Sequence, residues 1–169
     1  MRSIMRLNGS CHCRAVRFSV ESRQPVPYQL CYCTICSKTQ GGGGYAINLA
    51  GDAETLEVEG REHARSYHAV MREEGAPDQH SEAERVFCGR CGSALWLYDK
   101  SWPGLIHPFA SAIDTELPIP PERTHLMLAF KANWVVPRIG KHDQTFDEYP
   151  TESIADWHQR LGLEDAHGG

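Results

Sequence analysis

Seven cysteines in three short clusters constrain the fold of this chain more than any other feature. The clusters read CHC at 11–13, CYCTIC at 31–36 and CGRC at 88–91. Cysteines this close in sequence can offer several soft sulfur ligands to one metal ion at little loop-closure cost, whereas isolated buried cysteines would not be clustered. The spacing therefore predicts two zinc sites.

The first and third clusters together supply four cysteines, the number of protein ligands in a closed structural zinc site. In the third cluster, glycine allows a tight turn that presents both sulfurs to one ion, as in a zinc knuckle. On an extended strand, Cys11 and Cys13 point to the same side while His12 faces away. We therefore predict a structural zinc held by Cys11, Cys13, Cys88 and Cys91.

The middle cluster supplies three cysteines. Cys31 and Cys33 share one face of a predicted strand, and a turn or the first turn of a helix would bring Cys36 back beside them. Three sulfurs fit a catalytic zinc, which keeps one position for water or substrate, and amides at such a turn would favour the thiolate form. Two alternatives stay open: a distant histidine or carboxylate closes this site, or no ion binds.

Composition narrows the class of protein. The odd cysteine count and the lack of an apolar signal segment after Met1 argue against disulfides and predict a cytoplasmic location. The formal net charge of -5, with no basic run, disfavours nucleic-acid binding, and no apolar run is long enough to favour a membrane role. At 169 residues the chain fits one zinc-binding domain, 1–169, and a homodimer stays open.

Period-two alternation of apolar residues predicts several short, half-buried strands. The alternating sets are Val16, Phe18 and Val20; Tyr45, Ile47 and Leu49; Leu56 and Val58; and Leu126, Leu128 and Phe130. The polar segment 72–84 predicts an exposed loop, and the prolines in 117–121 predict an extended connection.

One short amphipathic helix is predicted near the end of the chain. Ile154, Trp157 and Leu161 fall on one helical face, and Gly162 follows as a terminator. Short strands separated by turns rarely form a parallel α/β sheet. The predicted fold is therefore mainly β, with antiparallel sheets cross-linked by zinc and a short C-terminal helix.

The segments GSCHCRAVRF, CYCTICSKTQGG, VFCGRCGSALW, KANWV and FDEYPTESIADWH, in this order, resemble the glutathione-dependent formaldehyde-activating enzyme family, also called the centromere protein V domain family. The resemblance covers nearly the whole chain. It implies a β-tent fold of the Mss4-like kind, with the structural zinc on the first and third clusters. The catalytic zinc would lie on Cys31, Cys33 and Cys36.

One position departs from the family pattern. Members commonly carry histidine between the first two cysteines of the middle cluster, where this chain has Tyr32. On a strand that side chain faces away from the two sulfurs. We therefore expect the change to spare metal binding and to alter the packing behind the site.

The resemblance implies a zinc-dependent carbon-sulfur lyase that condenses formaldehyde with the thiol of glutathione. The cofactors of this enzyme would be two zinc ions per chain, with the second site fully or partly occupied. Three thiolates leave a zinc site with net negative charge, which favours activation of a soft sulfur ligand over generation of hydroxide. The alternatives are a non-catalytic zinc module that binds a protein or chromatin, and a lyase or hydratase acting on another thiol adduct or aldehyde.

Candidate contacts for an anionic substrate directly follow the middle cluster: Lys38, Gln40, Gly41 and Gly42. Backbone amides without side chains can cradle a carboxylate, although a glycine run also serves as a flexible hinge and polar residues are often simply solvated. Among nine histidines, His107 and His125 are the candidates for a proton donor or a metal neighbour.

Overall fold

The fold is built on two β-sheets of seven and four strands, in a computed structural model that describes residues 4–23 and 25–163. The remaining residues of the predicted domain, 1–3, 24 and 164–169, lie outside this description. The strands are β1 (Met5–Ser10), β2 (Arg17–Ser22), β3 (Gln29–Cys31), β4 (Ala46–Asn48), β5 (Gly51–Glu59), β6 (Ala64–Met71), β7 (Gln79–Cys88), β8 (Ala94–Asp99), β9 (Leu105–Pro108), β10 (Thr124–Leu126) and β11 (Gln144–Thr145). Two α-helices, α1 (Thr34–Gln40) and α2 (Ile154–Arg160), and three short 3-10 helices complete the fold, at Arg61–His63, Ala110–Ala112 and Leu128–Phe130.

The larger sheet has the strand order β1-β2-β5-β9-β8-β7-β6 and is antiparallel throughout. Phe18 in β2 and Trp96 in β8 are three strand positions apart, which in a flat sheet would separate them by about 14 Å. Their rings nevertheless meet edge to face, with centroids 5.0 Å apart. The sheet is therefore strongly curved and encloses the main apolar core on its concave side.

The smaller sheet has the order β11-β10-β3-β4. β3 and β4 are antiparallel, whereas β10 runs parallel to both of its neighbours. Parallel pairing needs a long crossover, which the many residues between β3 and β10 provide. The predicted mainly β fold with antiparallel sheets is confirmed, and the parallel pairs of β10 are an addition that the sequence patterns did not indicate.

Two of the boundaries predicted from apolar and polar patterning are wrong. The loop predicted over 72–84 ends early, because β7 begins at Gln79 and pairs with β6 from the Met71–Gln79 pair onward. Hydrogen bonds between β6 and β7 satisfy the backbone N–H and C=O groups of this polar hairpin, so the strands form although neither has a continuous apolar face. The strand predicted through Leu128 and Phe130 stops at Leu126, because Met127 adopts a left-handed φ of 61° and the chain enters a 3-10 turn.

The C-terminal helix forms as predicted. Ser153 caps α2 through a reciprocal pair of hydrogen bonds with Asp156, and Gly162 follows the helix with a φ of 67°. Trp157 is buried, and its indole N–H donates to the buried carboxylate of Glu122 at 2.8 Å. This contact docks the helix on the body of the protein.

The proline-rich segment 117–121 has no regular secondary structure, as predicted. None of the helices in residues 4–23 and 25–163 has the length and apolar character needed to cross a bilayer.

Candidate functional site

The structure brings the first and third cysteine clusters together. The Sγ atoms of Cys11, Cys13, Cys88 and Cys91 all lie within 4.8 Å of one another. Cys13 Sγ lies 3.6 Å from that of Cys11 and 3.8 Å from that of Cys88. A tetrahedral zinc ion with Zn–S bonds of about 2.3 Å separates its sulfurs by about 3.8 Å. Both the donor atoms and their spacing therefore fit a closed zinc site.

Two turns of the larger sheet position these four cysteines, so the extended strand predicted for Cys11 and Cys13 is wrong, because β1 ends at Ser10. The first turn joins β1 to β2, and its buried Cys11 Sγ accepts a hydrogen bond from the Val16 amide at 3.3 Å. The second joins β7 to β8, and Cys88 Sγ accepts from the Arg90 amide at 3.4 Å. Amides directed at sulfur stabilise the thiolate form that a metal requires. A metal at this point would cross-link the two turns.

Ser93 connects the two turns directly. Its hydroxyl oxygen accepts a hydrogen bond from the His12 amide at 3.0 Å. It also lies 3.2 Å from Cys91 Sγ, and its hydrogen bond to that sulfur lowers the pKa of Cys91 to about 5. Cys91 is thus prepared to act as a thiolate although it is exposed.

The middle cluster also converges. Cys31 ends β3, Cys33 is the N-cap of α1, and Cys36 lies in the first turn of that helix, with the three Sγ atoms within 4.8 Å of one another. The Cys36 amide donates to Cys33 Sγ at 3.3 Å. Among the described residues, no further cysteine, histidine or carboxylate joins these three within that distance. The cluster could hold a metal ion with a ligand set one short of four.

Charge in this three-cysteine cluster is unevenly distributed. Hydrogen bonds from Cys31 and then Cys36 lower the pKa of Cys33, whereas the hydrogen bonds that Cys31 makes to Cys33 and Cys36 raise the pKa of Cys31. The first negative charge therefore settles on Cys33, which is half-buried and is the most exposed of the three. All seven cysteines are free, so the structure contains no disulfide among them.

Arg85 is a site residue that the sequence analysis missed. It extends from β7, and its Nη2 lies 3.5 Å from Cys36 Sγ while its Nη1 lies 3.4 Å from Thr39 Oγ1. A positive charge here lowers the cost of thiolates in the cluster. Arg85 is far from the middle cluster in sequence, and no local motif could have associated the two.

A buried series of hydrogen-bonded side chains lies behind the middle cluster. Tyr32, between Cys31 and Cys33, places its hydroxyl 2.9 Å from His125 Nδ1, and His125 Nε2 lies 2.9 Å from Asp143 Oδ2. Because the carboxylate accepts from Nε2–H, the Tyr32 hydroxyl donates to Nδ1. His125 was a candidate metal neighbour, but it belongs to neither sulfur group and instead bridges Tyr32 and Asp143.

Asp143 lies at the end of this series of hydrogen-bonded side chains and makes the largest number of its hydrogen bonds. Its carboxylate also accepts hydrogen bonds from the Arg123 and Gly140 amides at 2.9 and 2.8 Å. Burial raises the pKa of Asp143, but these hydrogen bonds and the one from His125 outweigh it and lower that pKa below 3.8. These hydrogen bonds thus hold β10, and the segment that contains Asp143, behind the strand that carries Cys31.

We expect Asp143→Ala to lower the free energy of unfolding by about 2–4 kcal/mol, because it leaves His125 Nε2–H and two amides without an acceptor. Urea denaturation would measure the loss, with Asp147→Ala, at an exposed position, as the control. Since folding lowers the pKa of Asp143, its stabilisation is complete above the unfolded pKa of about 3.8 and lost as the pH falls through the folded pKa. Equal stability of variant and control at neutral pH would contradict this role.

The four predicted substrate contacts surround the end of α1. Lys38 is exposed, and Gly41 and Gly42 turn the chain away from the helix with φ values of 68° and 66°. Gln40 Nε2 is buried without a hydrogen-bond partner among the described residues, which leaves a donor for a ligand. No hydrogen bond within the described part of the chain joins these residues to the sulfurs, and their role in binding stays a prediction.

His107, the other candidate histidine, points into the protein. Its Nδ1–H donates to the Leu49 carbonyl at 2.9 Å, and burial lowers its pKa. This side chain ties β9 to the segment after β4. Its contacts indicate a structural role.

Three comparisons place this geometry among known proteins. The family model described as "Glutathione-dependent formaldehyde-activating enzyme" matches residues 6–128. A Halomonas elongata protein named "Putative glutathione-dependent formaldehyde-activating enzyme" is 58% identical over 161 residues, covering 95% of this chain and 99% of that protein. A crystal structure of a Rhodobacter sphaeroides protein shares the fold, with a TM-score of 0.51 and 24% identity over 68% of this chain and 92% of that one.

Proposed function

Because the chain belongs to the glutathione-dependent formaldehyde-activating enzyme family, we propose that it is an enzyme that joins formaldehyde to the thiol of glutathione. The product is S-hydroxymethylglutathione, and cleavage of this adduct is the reverse, lyase direction. The family model matches most of the chain, and the Halomonas relative aligns over nearly its full length. Both support a single domain of this family, and the proposal extends to one zinc-binding domain spanning 1–169 that acts in the cytoplasm.

Two zinc ions are the proposed cofactors. Cys11, Cys13, Cys88 and Cys91 would close a structural site, and their sulfur spacing supports this assignment. Cys31, Cys33 and Cys36 would hold the second ion. The observation that carries the proposed activity is that this second ligand set is one short of four among the described residues. A zinc ion there would supply a Lewis acid with an affinity for sulfur.

The proposed reaction adds sulfur to a carbonyl group. The glutathione sulfur attacks the formaldehyde carbon, a carbon-sulfur bond forms, and the carbonyl π electrons move to oxygen, which takes up the proton released by the thiol. Three surrounding features would assist binding. Lys38 is a cation for a glutathione carboxylate, Gln40 Nε2 is an unused donor, and the amides of Gly41 and Gly42 are unhindered.

The zinc-loaded protein should accelerate the exchange between formaldehyde and S-hydroxymethylglutathione above the spontaneous rate, which NMR exchange spectroscopy can measure. Because glutathione binding would use a cation at α1, Lys38→Glu should raise KM for glutathione by about tenfold. Glu73→Lys, in the exposed β6–β7 turn, is the matched charge-reversal control. A wild-type rate equal to the spontaneous rate would reject the activity, and an unchanged KM would remove Lys38 from the binding site.

A further inference from the structure

The guanidinium of Arg85 is a cation beside the three-cysteine cluster without a carboxylate partner. In the part of the chain that the structure describes, no carboxylate oxygen lies within 4.0 Å of it. Arg160, by contrast, forms ion pairs with both Glu122 and Glu152. Half-buried guanidinium groups normally acquire such partners, since burial of an unpaired charge is costly. The counter-charge of Arg85 is therefore to be found at the sulfur cluster.

Charge balance shows what this cation can do. Three thiolates exceed the charge of one divalent ion by a single negative charge, and an anionic fourth ligand adds another. A neutral fourth ligand adds none. A fixed cation at hydrogen-bonding distance from Cys36 Sγ offsets this added charge, and it does so only for the anionic ligand.

The position of Arg85 suits this purpose. Its side chain comes from β7 in the larger sheet, whereas the sulfurs belong to β3 and α1. The second guanidinium nitrogen contacts Thr39 Oγ1, one helical turn after Cys36, so both ends of the fork are held against α1. A guanidinium held at two points needs little reorganisation when a ligand arrives.

We propose that Arg85 makes the three-cysteine site selective for anionic sulfur ligands, that is thiolates, over neutral ligands of similar size. The inference rests on the proposed metal site and deepens the proposed function by assigning a specificity residue to it. Arg85 acts on the incoming ligand through charge and through its hydrogen bond to Cys36. It takes no part in bond making.

The test compares two ligands on the full-length protein loaded with cobalt(II), whose absorption reports the fourth ligand. The probes are 2-mercaptoethanol, whose only anionic group is its sulfur, and neutral imidazole, each titrated without formaldehyde. The variants are Arg85→Gln and the charge-conserving Arg85→Lys. Arg72→Gln, at the exposed turn between β6 and β7 where Arg72 pairs with Asp78, is the control.

We expect Arg85→Gln to weaken mercaptoethanol binding by about tenfold and to change imidazole binding by less than about twofold, because loss of one charge-assisted interaction affects only the anion. Arg85→Lys should keep mercaptoethanol affinity within about threefold, and Arg72→Gln should change neither. Equal weakening of both ligands, or no weakening of either, would overturn the inference.

Two outcomes distinguish the proposed role of Arg85 from an effect on folding or metal retention and from the proposed reaction. If Arg85→Gln no longer retains cobalt at this site, Arg85→Lys decides: a wild-type ratio of the two affinities supports the inference, and a ratio shifted towards imidazole overturns it. Because binding is measured without formaldehyde, a thiolate-selective site in a protein inactive towards formaldehyde would refute the reaction and retain the role of Arg85.

Discussion

Replacement of Cys88 by serine should leave no stably folded protein. Cys88 is fully buried at the end of β7, and its sulfur lies 3.8 Å from that of Cys13 in the turn between β1 and β2. Serine offers a hard hydroxyl in place of a soft thiolate, so the site loses a ligand. A structural zinc contributes about 10–16 kcal/mol, whereas the net stability of a domain is about 5–15 kcal/mol. The free energy of stabilisation lost with this ion is therefore larger than the net stability that the rest of the domain can supply.

Circular dichroism and thermal melting of Cys88→Ser, with zinc content by mass spectrometry, would check this prediction. Removal of zinc from the wild type by a strong chelator should have the same effect, because a closed site provides folding energy. A serine variant that melts cooperatively near the wild-type temperature without zinc at this site would contradict the structural role. The matched comparison is serine in the middle cluster, where a different result is expected.

Cys33→Ser should abolish activity and leave the fold nearly unchanged. Cys33 is the N-cap of α1, a position at which serine serves well, so the helix keeps its cap. The variant nevertheless loses one of three sulfur ligands. Removal of a residue that only hydrogen-bonds to a metal ligand lowers metal affinity or activity by about 10–100-fold. Because Cys33→Ser removes a ligand itself, we expect thiol-dependent formaldehyde turnover to fall by at least about 100-fold.

Zinc content, melting temperature and turnover of the same Cys33→Ser preparation distinguish a catalytic from a structural site. We expect zinc to fall from two ions to one per chain while the melting temperature stays within a few degrees of the wild type. Thr34→Ala, at the exposed first residue of α1, is the control for an unspecific effect at this helix end. A variant that loses its metal but retains wild-type turnover would move the reaction away from this cluster.

The grouping of the seven cysteines into two sets was predictable because cysteines that can share a metal ion carry their signal in local spacing. Two residues between cysteines indicate a knuckle, and the division of seven sulfurs into four and three follows from ligand count. The strand predicted for each one-residue spacing is wrong, because Cys11 and Cys13 lie in the turn after β1 and Cys33 caps α1. The structure brings together the same sets, although Cys13 and Cys88 are far apart in the chain. The C-terminal helix was predictable for the same reason, since its cap, apolar face and terminator are all local.

Strand ends and pairings were less predictable. Alternation indicated a strand through Leu128 and Phe130, but the left-handed backbone of Met127 ends it. The polar sequence after 78 indicated a loop, yet hydrogen bonding to β6 makes it a strand. In the second case long-range pairing outweighs local preference, because β propensity reflects the surroundings of a strand more than its sequence.

The cysteine clusters, their division into two groups, the mainly β class and the family of this protein can all be inferred from the residues alone. The side chains that surround the three-cysteine cluster follow from the way the sheets pack. Arg85 reaches it from another sheet, and His125 and Asp143 support it from behind through Tyr32. This difference arises because cysteines that share a metal ion bind it at low entropic cost when they are close in sequence. Charges and hydrogen-bond partners are instead placed by strand order and sheet curvature, which local spacing does not record.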